Sequence, residues 1–169
     1  DYALDNVGNR RVLTETLVTV NNVATGAYLE NNGLVVMEAE NGESTNGLTH
    51  NWLFKTSLLN YTGTSYLEPS LDNDTLISTE ALTTSPRADY PVNVTTPGTY
   101  TVWLRGYPAN AAGDSAYVGV DQQVVTVTGF TPFTWTWASE PTRLVITQTG
   151  LLTANLWLRE DGLRIDRLL

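Results

Sequence analysis

The sequence contains no cysteine, one lysine and one histidine among its 169 residues. The lack of cysteine excludes a disulfide framework and a thiolate zinc site, although a chain of this length can form a hydrophobic core without disulfides. The net charge is −9, so the chain offers no basic surface to nucleic acid or to anionic lipid. No apolar run reaches the length of a membrane span. We therefore expect neither nucleic-acid binding nor membrane insertion.

The residues that common hydrolases use are also missing. There is no cysteine nucleophile, no GxSxG motif and only one histidine, His50, which we expect to brace a loop or to face solvent. Glycosidases need two carboxyl groups that face each other across the scissile bond. Glu160 and Asp161 are adjacent, so they diverge in an extended chain. The sequence therefore predicts a protein that is not an enzyme.

The residues that are present predict an all-β fold. Threonine occurs 26 times, and β-branched and aromatic residues form short runs separated by glycine, proline, asparagine and aspartate. Residues 75–84 are the segment closest to a helical pattern, and they read as a short helical turn or a strand. Eight or nine short antiparallel strands predict a β-sandwich. The predicted strands are 34–40, 65–69, 87–94, 98–107, 114–123, 133–137, 143–148, 154–160 and 162–169.

Residues 1–31 differ from the rest and are predicted to be an N-terminal extension or linker, with the sandwich at 32–169. The run TETLVTVNNV (14–23) resembles the last strand of a polycystic-kidney-disease-like or cadherin-like repeat, and 27–33 reads as a linker. One strand cannot form a domain alone, so it packs on the main domain or belongs to a neighbouring one. The first residues do not resemble a signal peptide, so we expect a piece of a longer chain.

Three acidic residues lie in the first and last predicted strands of the sandwich. Glu38 and Glu40 alternate along LVVMEAE, which predicts that they share one face of the strand, and Asp166 lies in GLRIDRLL. If these strands are neighbours, the three carboxylates converge, and like charges in a packed site need a cation. Carboxylate oxygens suit Ca²⁺. The alternative is that Glu38 and Glu40 are solvated on an edge face or paired with Arg164 and Arg167.

From residue 34 onward, the order of the motifs resembles carbohydrate-binding modules of families 6 and 35. VVMEAE resembles their opening strand, DYPVNVTTPGTYTVWLRGY their central hairpin, GDSAYVGVDQQ the strand that follows, TGFTPFTWTW the turn before a tryptophan-bearing strand, and NLWLREDGLRIDRLL the last hairpin. The resemblance implies a β-jelly roll of the galactose-binding type. It also implies non-catalytic binding of a poly- or oligosaccharide by a monomeric module of a secreted polysaccharide-active protein, with a structural Ca²⁺ held by Glu38, Glu40 and Asp166.

Sugar rings stack on aromatic side chains, and sugar hydroxyls form hydrogen bonds with acids, amides and arginine. The resemblance implies a site at loop tips at one end of the sandwich. Trp52 is the best aromatic candidate, because the sequence places it in a long loop with no period that would bury it. The candidate residues are Trp52, Tyr66, Arg105, Tyr107, Phe133, Arg159, Glu160 and Asp161.

Some of these candidates have structural alternatives. By its pattern, Tyr66 is equally a core residue and a site residue, and Arg105 alternatively forms a buried pair with Asp114 or Glu160. The REDG segment is alternatively only a tight turn in which Gly162 has a positive φ. Most tryptophans of a jelly roll are structural, so four others are weaker candidates: Trp103, Trp135, Trp137 and Trp157.

The ligand class and the function class each have an open alternative. The acidic last hairpin disfavours uronic acids unless Arg105 or Arg159 offsets its charge. A calcium-stabilised structural or adhesive module of an extracellular protein is the alternative function. A sugar binder differs from such a module by an exposed aromatic residue beside convergent polar groups.

Overall fold

The structure is a computed structural model that describes residues 26–78 and 82–169. Within these residues it contains fourteen β-strands and one short 3₁₀ helix, Ala39–Asn41. The predicted all-β class is confirmed, with more strands than predicted, and the strand predicted at 14–23 lies outside the described residues. The strands are β1 (Tyr28–Leu29), β2 (Met37–Glu38), β3 (Glu43–Thr45), β4 (Trp52–Lys55), β5 (Tyr66–Pro69), β6 (Arg87–Val94), β7 (Gly98–Tyr100), β8 (Trp103–Pro108), β9 (Ala116–Val120), β10 (Gln123–Val127), β11 (Thr136–Ser139), β12 (Leu144–Ile146), β13 (Gly150–Leu158) and β14 (Leu163–Leu168).

The strands form two six-stranded sheets and one small sheet. The first large sheet has the order β1-β6-β13-β9-β10, and β3 also pairs with β6. The second has the order β11-β8-β14-β5-β4, and β2 also pairs with β14. The strand pairs are antiparallel except that of β1 with β6, which is parallel. Strands β7 and β12 form the small sheet. None of the helices in the described part of the chain is long and apolar enough to cross a membrane.

The core is built by strands that alternate between buried and partly exposed residues. In β6, Ala88, Tyr90, Val92 and Val94 are buried, and the residues between them are not. This period of two is the sequence signature of a strand with one face in a core. Burial of each large apolar side chain stabilises the fold by about 1.5–3 kcal/mol. The other face of each sheet points away from the core, and we call it the outer face. Charged and aromatic residues can lie there.

The first and last strands of the predicted sandwich are neighbours. Strand β2 pairs with β14, with Met37 opposite Leu168 and Glu38 opposite Arg167. The strand predicted at 34–40 is confirmed only at these two residues of β2, because the chain then turns into the 3₁₀ helix. Glu40 lies in this helix, so the prediction that it shares a strand face with Glu38 is wrong.

A buried backbone contact explains this turn. Ala39 is buried, and the hydroxyl of Tyr90 donates a hydrogen bond of 2.8 Å to its carbonyl oxygen. The same carbonyl also accepts the backbone N–H of Gly42 at 3.3 Å, so both of its hydrogen bonds are made away from β14. The chain therefore leaves the β2–β14 ladder after Glu38, although the alternation of the sequence continues past it.

Other strand boundaries also differ from the predictions. The predicted strand 98–107 is divided into β7 and β8, and 114–123 is divided between β9 and β10 by a turn in which Asp121 has a φ of 55°. Strand β4 was not predicted, and it lies within the predicted long loop. Strand β1 lies within the predicted linker 27–33, and it adds to the first sheet beside β6.

Candidate functional site

Several loops meet at one end of the sandwich. Leu163 of β14 lies opposite Pro108 of β8, so the β13–β14 turn lies beside the loop that follows β8. The backbone N–H of Ala109 donates to the carbonyl of Gly162 at 2.8 Å, and that of Phe133 donates to the carbonyl of Pro108 at 3.0 Å. We call this region, formed by residues 70–78, 109–115, 128–135 and 159–162, the loop end.

Asp161 holds two parts of the loop end together. Its side chain is buried, and its carboxylate accepts backbone N–H bonds from Asn73 at 2.9 Å and from Thr75 at 3.1 Å. The Nε2 atom of the buried His50 lies 3.3 Å from the same carboxylate. These contacts use both carboxylate oxygens, so Asp161 organises the loops rather than presenting a free acid. His50 braces a loop, which is one of its two predicted roles.

Arg159 and Glu160 are also engaged within the protein. Glu160 accepts the backbone N–H of Asp114 at 3.0 Å and the hydroxyl of Ser115. Arg159 forms an ion pair of 3.0 Å with Glu160 and lies over the ring of Tyr117, with 5.7 Å between the guanidinium carbon and the ring centroid. Partial burial raises the pKa of Asp114, and the negative charge of Glu160 raises it further.

Two glycines allow these loops to approach each other. A Cβ atom on Gly113 would collide with the backbone of Gly162, so glycine is required where the β8–β9 loop crosses the β13–β14 turn. Gly162 does not have a positive φ, so the sequence-based expectation of a left-handed glycine in REDG is wrong. Its role is to permit a close backbone contact.

Phe133 is the one predicted aromatic candidate that is strongly exposed. Its side chain is 68% exposed, and it lies at the loop end next to the end of β8. Its φ of 62° lies in the left-handed region, which a bulky residue rarely adopts. An exposed ring in a strained backbone conformation indicates a constraint other than packing.

Trp52 is not the exposed loop residue that the sequence predicts. It lies in β4, pairs with Pro69 of β5, belongs to the core and is only 6% exposed. The apolar triplet around Trp52 forms a strand because β5 offers a hydrogen-bonding edge, and this tertiary contact leaves no local signal in the loop-like sequence around it. Burial removes Trp52 from the residues that can stack on a sugar.

The outer face of the second sheet carries an aromatic cluster that the sequence did not predict as a unit. The ring of Tyr66 lies in edge-to-face contact with Tyr61 at 5.6 Å and with Trp135 at 5.4 Å, and Tyr107 contacts Trp135 at 5.4 Å. Tyr66 is fully buried, which supports its structural alternative. Trp135 lies just before β11, so the apparent alternation of FTWTW hid its position in a loop.

Two further tryptophans lie exposed on this outer face. Trp103 is 42% exposed and Trp137 is 40% exposed. Trp137 lies opposite Arg105 in the ladder between β11 and β8, so these residues share one side of the sheet. Trp157, in contrast, is buried. The structure therefore offers two surfaces with exposed aromatic rings: the loop end and the outer face of the second sheet.

Arg105 lies on the outer face of the second sheet and reaches from there to Asp166. Its Nη1 atom forms an ion pair with Asp166 of β14, and its Nη2 atom donates to the carbonyl of Asn60 at 2.8 Å. Its predicted alternative partners, Asp114 and Glu160, are bound to each other at the loop end instead. Arg105 thus lies at the acidic residues that the sequence singled out.

These acids converge on the loop between β4 and β5. Thr62 donates its backbone N–H to Asp166 at 2.7 Å, and its hydroxyl lies 2.8 Å from Glu38 and 3.0 Å from Asp166. Glu40 accepts the backbone N–H of Thr64 at 2.6 Å. We call Glu38, Glu40 and Asp166 the acid cluster. Arg167 forms an ion pair with Glu38, which is one of the predicted alternatives.

The acid cluster has more hydrogen-bond acceptors than donors. The hydroxyl of Thr62 has one proton but two carboxylate partners, and Oε2 of Glu40 is buried without a hydrogen-bond partner among the described residues. Burial and, to a smaller extent, the charges of Glu38 and Glu40 raise the pKa of Tyr28 to about 12, against the lowering effect of a hydrogen bond with Asn41. Such an oxygen-rich, negative site suits a hard cation. Within the described ranges, however, no three acidic or histidine side chains already form a group that could hold a metal ion.

Comparisons with known proteins identify the fold. No protein-family model matches the chain, and no curated protein matches it. A family 35 carbohydrate-binding module from Clostridium thermocellum superposes with a TM-score of 0.57 and 18% identity, over 79% of this chain and 94% of the module. The C-terminal family 6 module of LamC, a marine laminarinase from Zobellia galactanivorans, superposes with a TM-score of 0.51 and 15% identity, over 79% of this chain and 94% of that one.

A larger enzyme contains a similar domain. The family 26 β-(1,4)-mannanase from Podospora anserina, which carries a family 35 module, superposes with a TM-score of 0.60 and 18% identity. The match covers 82% of this chain but 27% of the mannanase chain. These likenesses agree with the two large sheets of this structure. The chain therefore has the β-sandwich fold of family 35 and family 6 carbohydrate-binding modules.

Proposed function

We propose that this chain is a non-catalytic carbohydrate-binding module whose glycan site lies at the loop end. The observation that carries the proposal is the conformation of Phe133. A residue other than glycine in a sparsely populated backbone region costs about 1–3 kcal/mol and persists where function or surrounding structure requires it. The bond from the Phe133 N–H to the Pro108 carbonyl holds this conformation while the ring remains exposed. Such a ring is suited to stack on the apolar face of a sugar.

Polar groups also lie at the loop end. Asp72 and Asp74 are exposed in the β5–β6 loop, and Asn110 donates to Asp74 at 3.2 Å from the β8–β9 loop. Amide and carboxylate groups of this kind form directed hydrogen bonds with sugar hydroxyls. The loops that carry these groups are held in place by Asp161, by Glu160 and by the contact between Gly113 and Gly162. We propose that Phe133 is the stacking residue and that Asp72, Asp74 and Asn110 bind hydroxyls.

The charge of the loop end supports a neutral glycan. Four acidic side chains lie there, those of Asp72, Asp74, Asp114 and Glu160. The positive charge of Arg159 is already paired with Glu160. Burial raises the pKa of Asp72, and the nearby acids Asp161 and Asp74 add to this rise against the lowering effect of Arg164. A uronic acid would add a further negative charge. One solved family 35 module of this fold is described in complex with a disaccharide that contains glucuronic acid, and we propose a different, uncharged ligand for this chain.

The proposal includes the setting of the module and a calcium ion. We propose that the module is extracellular and targets a polysaccharide-active protein to its glycan. We also propose that a structural Ca²⁺ binds the acid cluster through Glu38, Glu40 and Asp166. Two features support this ion: the surplus of acceptors at Thr62, and the oxygen of Glu40 that has no hydrogen-bond partner among the described residues. Its role would be to neutralise the acids and fix the β4–β5 loop.

Affinity electrophoresis through gels that contain neutral and acidic polysaccharides tests the glycan site. We expect the chain to be retarded by at least one neutral polysaccharide, with a Kd between about 1 μM and 1 mM because the site is open. Phe133→Ala should abolish the retardation. Leu151→Ala removes an equally exposed apolar side chain (69% exposed) from β13 and should leave it unchanged.

A third variant separates the two exposed aromatic surfaces. If Trp137→Ala abolishes retardation and Phe133→Ala does not, the glycan site lies on the outer face of the second sheet and the loop-end proposal is wrong. Retention without any hydrolysis of the polysaccharide supports a binding module rather than an enzyme. If no polysaccharide in the panel retards the protein, the structural or adhesive alternative gains support.

A further inference from the structure

The sandwich has a cavity at the end opposite the loop end. Strand β14 begins with Leu163 at the loop end and finishes with Leu168, which lines this cavity, and Val94 at the end of β6 lines it too. The cavity has a volume of about 580 Å³. Small-molecule sites in proteins have volumes of about 300–1,000 Å³, so this cavity is of their size. We call it the distal cavity.

The core is less completely closed around the distal cavity than near the loop end. Val120 is 8% exposed and Ile146 is 6% exposed, and both line the cavity. Leu158 and Leu163, which flank the β13–β14 turn, are 0% exposed. The core is therefore sealed toward the loop end, and its other end is open to small molecules.

The lining of the distal cavity is apolar. Its buried residues come from all three sheets, as shown by Val118 of the first, Leu168 of the second and Leu144 of the small sheet. Among the described residues that line it, none has a charged side chain. A sugar, a peptide or a charged group would lose its hydrogen bonds to water there without replacing them. An apolar cavity instead takes an apolar ligand.

The mouth of the cavity is polar and has a negative charge beside it. Gly33, Thr96 and Thr99 are exposed residues of the lining. The buried carboxylate of Glu30 joins the two segments that carry them, because it accepts the backbone N–H of Thr95 at 3.0 Å and that of Gly33. Threonine hydroxyls can form hydrogen bonds with an uncharged head group, whereas the charge of Glu30 disfavours an anionic one.

We propose that the distal cavity binds the alkyl chain of an uncharged amphiphile, whose polar head lies at the mouth beside Thr96 and Thr99. This inference goes beyond the glycan site and does not depend on it, since the two sites lie at opposite ends of the sandwich. Burial of the alkyl chain drives the binding. Each CH₂ group that leaves water strengthens the binding about fourfold, until the cavity is filled.

Displacement of the uncharged fluorophore N-phenylnaphthylamine from the full chain tests the site. The emission of this probe rises when it leaves water, so the chain should enhance it. Hexanol, octanol and decanol should displace the probe, with a Kd that falls about fourfold for each added CH₂ group. Decanoate has a chain of the same length as decanol but an anionic head, and it should bind about tenfold more weakly.

Substitutions that fill the cavity locate the binding. Ala154→Leu enlarges a side chain that lines the cavity from β13, and it should weaken decanol binding at least about tenfold without lowering the Tm. Val120→Ile adds a single methyl group to the lining and should weaken binding in the same direction, about fourfold. Thr153→Leu is the matched control, because it adds an apolar side chain at an exposed position of the same strand and should leave the Kd unchanged.

Three results would overturn the inference. The first is that no alcohol displaces the probe, or that the Kd does not depend on chain length. The second is that folded Ala154→Leu and Val120→Ile bind decanol as tightly as the unchanged chain. The third is that binding disappears as the protein forms dimers in sedimentation experiments, because a second copy of the chain would then cover the cavity. Retardation by polysaccharide should be the same with and without decanol, so each site can fail without the other.

Discussion

Glu38 lies directly opposite Arg167 in the short ladder between β2 and β14, and the two side chains form an ion pair. This pairing brings the first strand after the N-terminal segment against the last strand of the chain. It also brings the carboxylate of Glu38 close to that of Asp166, because both contact Thr62 of the β4–β5 loop. The acid cluster therefore depends on the closure of the sandwich.

Asp166→Asn should destabilise the protein strongly in the absence of metal. The substitution leaves Arg105 without its charged partner, and removing one member of a largely buried ion pair costs about 3–5 kcal/mol. Arg105 is partly exposed, so we expect a loss at the lower end, about 3 kcal/mol in the free energy of unfolding. Urea denaturation in chelator measures this loss.

Asp121→Asn is the control for this variant. Asp121 is exposed in the β9–β10 turn, and asparagine tolerates its positive φ well. We expect a change within about 0.5 kcal/mol. Equal stability of the two variants would contradict the role of Asp166 in the closure.

Trp52→Ala should also destabilise the protein, because Trp52 is a core residue. Truncation of a buried tryptophan or phenylalanine to alanine costs about 3–5 kcal/mol. Trp52→Phe should cost much less, since it keeps most of the ring and removes a buried indole N–H that has no hydrogen-bond partner in the described part of the chain. Denaturant unfolding of both variants, with Trp137→Ala as an exposed control, measures the difference. A Trp52→Ala protein of unchanged stability would show that this side chain is not in the core.

The contrast between Trp52 and Tyr90 shows how much of the fold the sequence predicts. Tyr90 lies in a strand with a strict period of two, and the pattern alone predicts that strand correctly. Trp52 lies in a four-residue strand whose neighbours on both sides are loop-like. Its burial depends on the edge of β5, and a pairing partner distant in sequence leaves no local pattern. Long alternating strands were therefore predicted well, and short edge strands were not.

The candidate site shows the same limit. Charge and order in the sequence were sufficient to place Glu38 and Asp166 together, because the first and last strands of a closed sandwich are neighbours. They were not sufficient to predict that Arg105 would bind Asp166, since this contact depends on the register between β8 and β14. The strand pattern placed Phe133 at the start of a predicted strand, and only the resemblance made it a loop-tip candidate. Its positive φ depends on a hydrogen bond to Pro108 that only the folded chain provides.

Asp114→Asn should stabilise the protein at neutral pH. Burial and the charge of Glu160 raise the pKa of Asp114 in the folded state, so its ionised form destabilises the fold above that pKa. Asparagine removes this charge and should raise the Tm at pH 7. As the pH falls through the raised pKa, Asp114 takes up its proton in the folded state and the advantage of asparagine should disappear.

Thermal unfolding of both proteins at pH 7 and at pH 3.5 measures the effect. The difference in Tm between Asp114→Asn and the unchanged chain should be positive at pH 7 and close to zero at pH 3.5. A gain of the same size at both pH values would mean that charge is not its cause. Asp121→Asn serves again as an exposed control and should show no such pH dependence.

Phe133→Gly should separate stability from glycan binding. Glycine adopts a φ of 62° without strain, which relieves about 1–3 kcal/mol, and it loses about 0.5–1 kcal/mol through the greater freedom of the unfolded chain. We therefore expect a net gain of about 1 kcal/mol in the free energy of unfolding. Phe133→Ala keeps the strained φ and should show no such gain.

Both variants at Phe133 lack the ring, so both should lose retardation by polysaccharide while they remain folded. A more stable protein that no longer binds glycan is the expected result if the backbone strain is retained to hold the ring in its exposed position. If Phe133→Gly is instead less stable than the unchanged chain, the ring packs on the loop end and its conformation has a structural cause. If it is more stable and still retarded, the strain has no connection with glycan binding. Urea denaturation and affinity electrophoresis of the two variants together distinguish these cases.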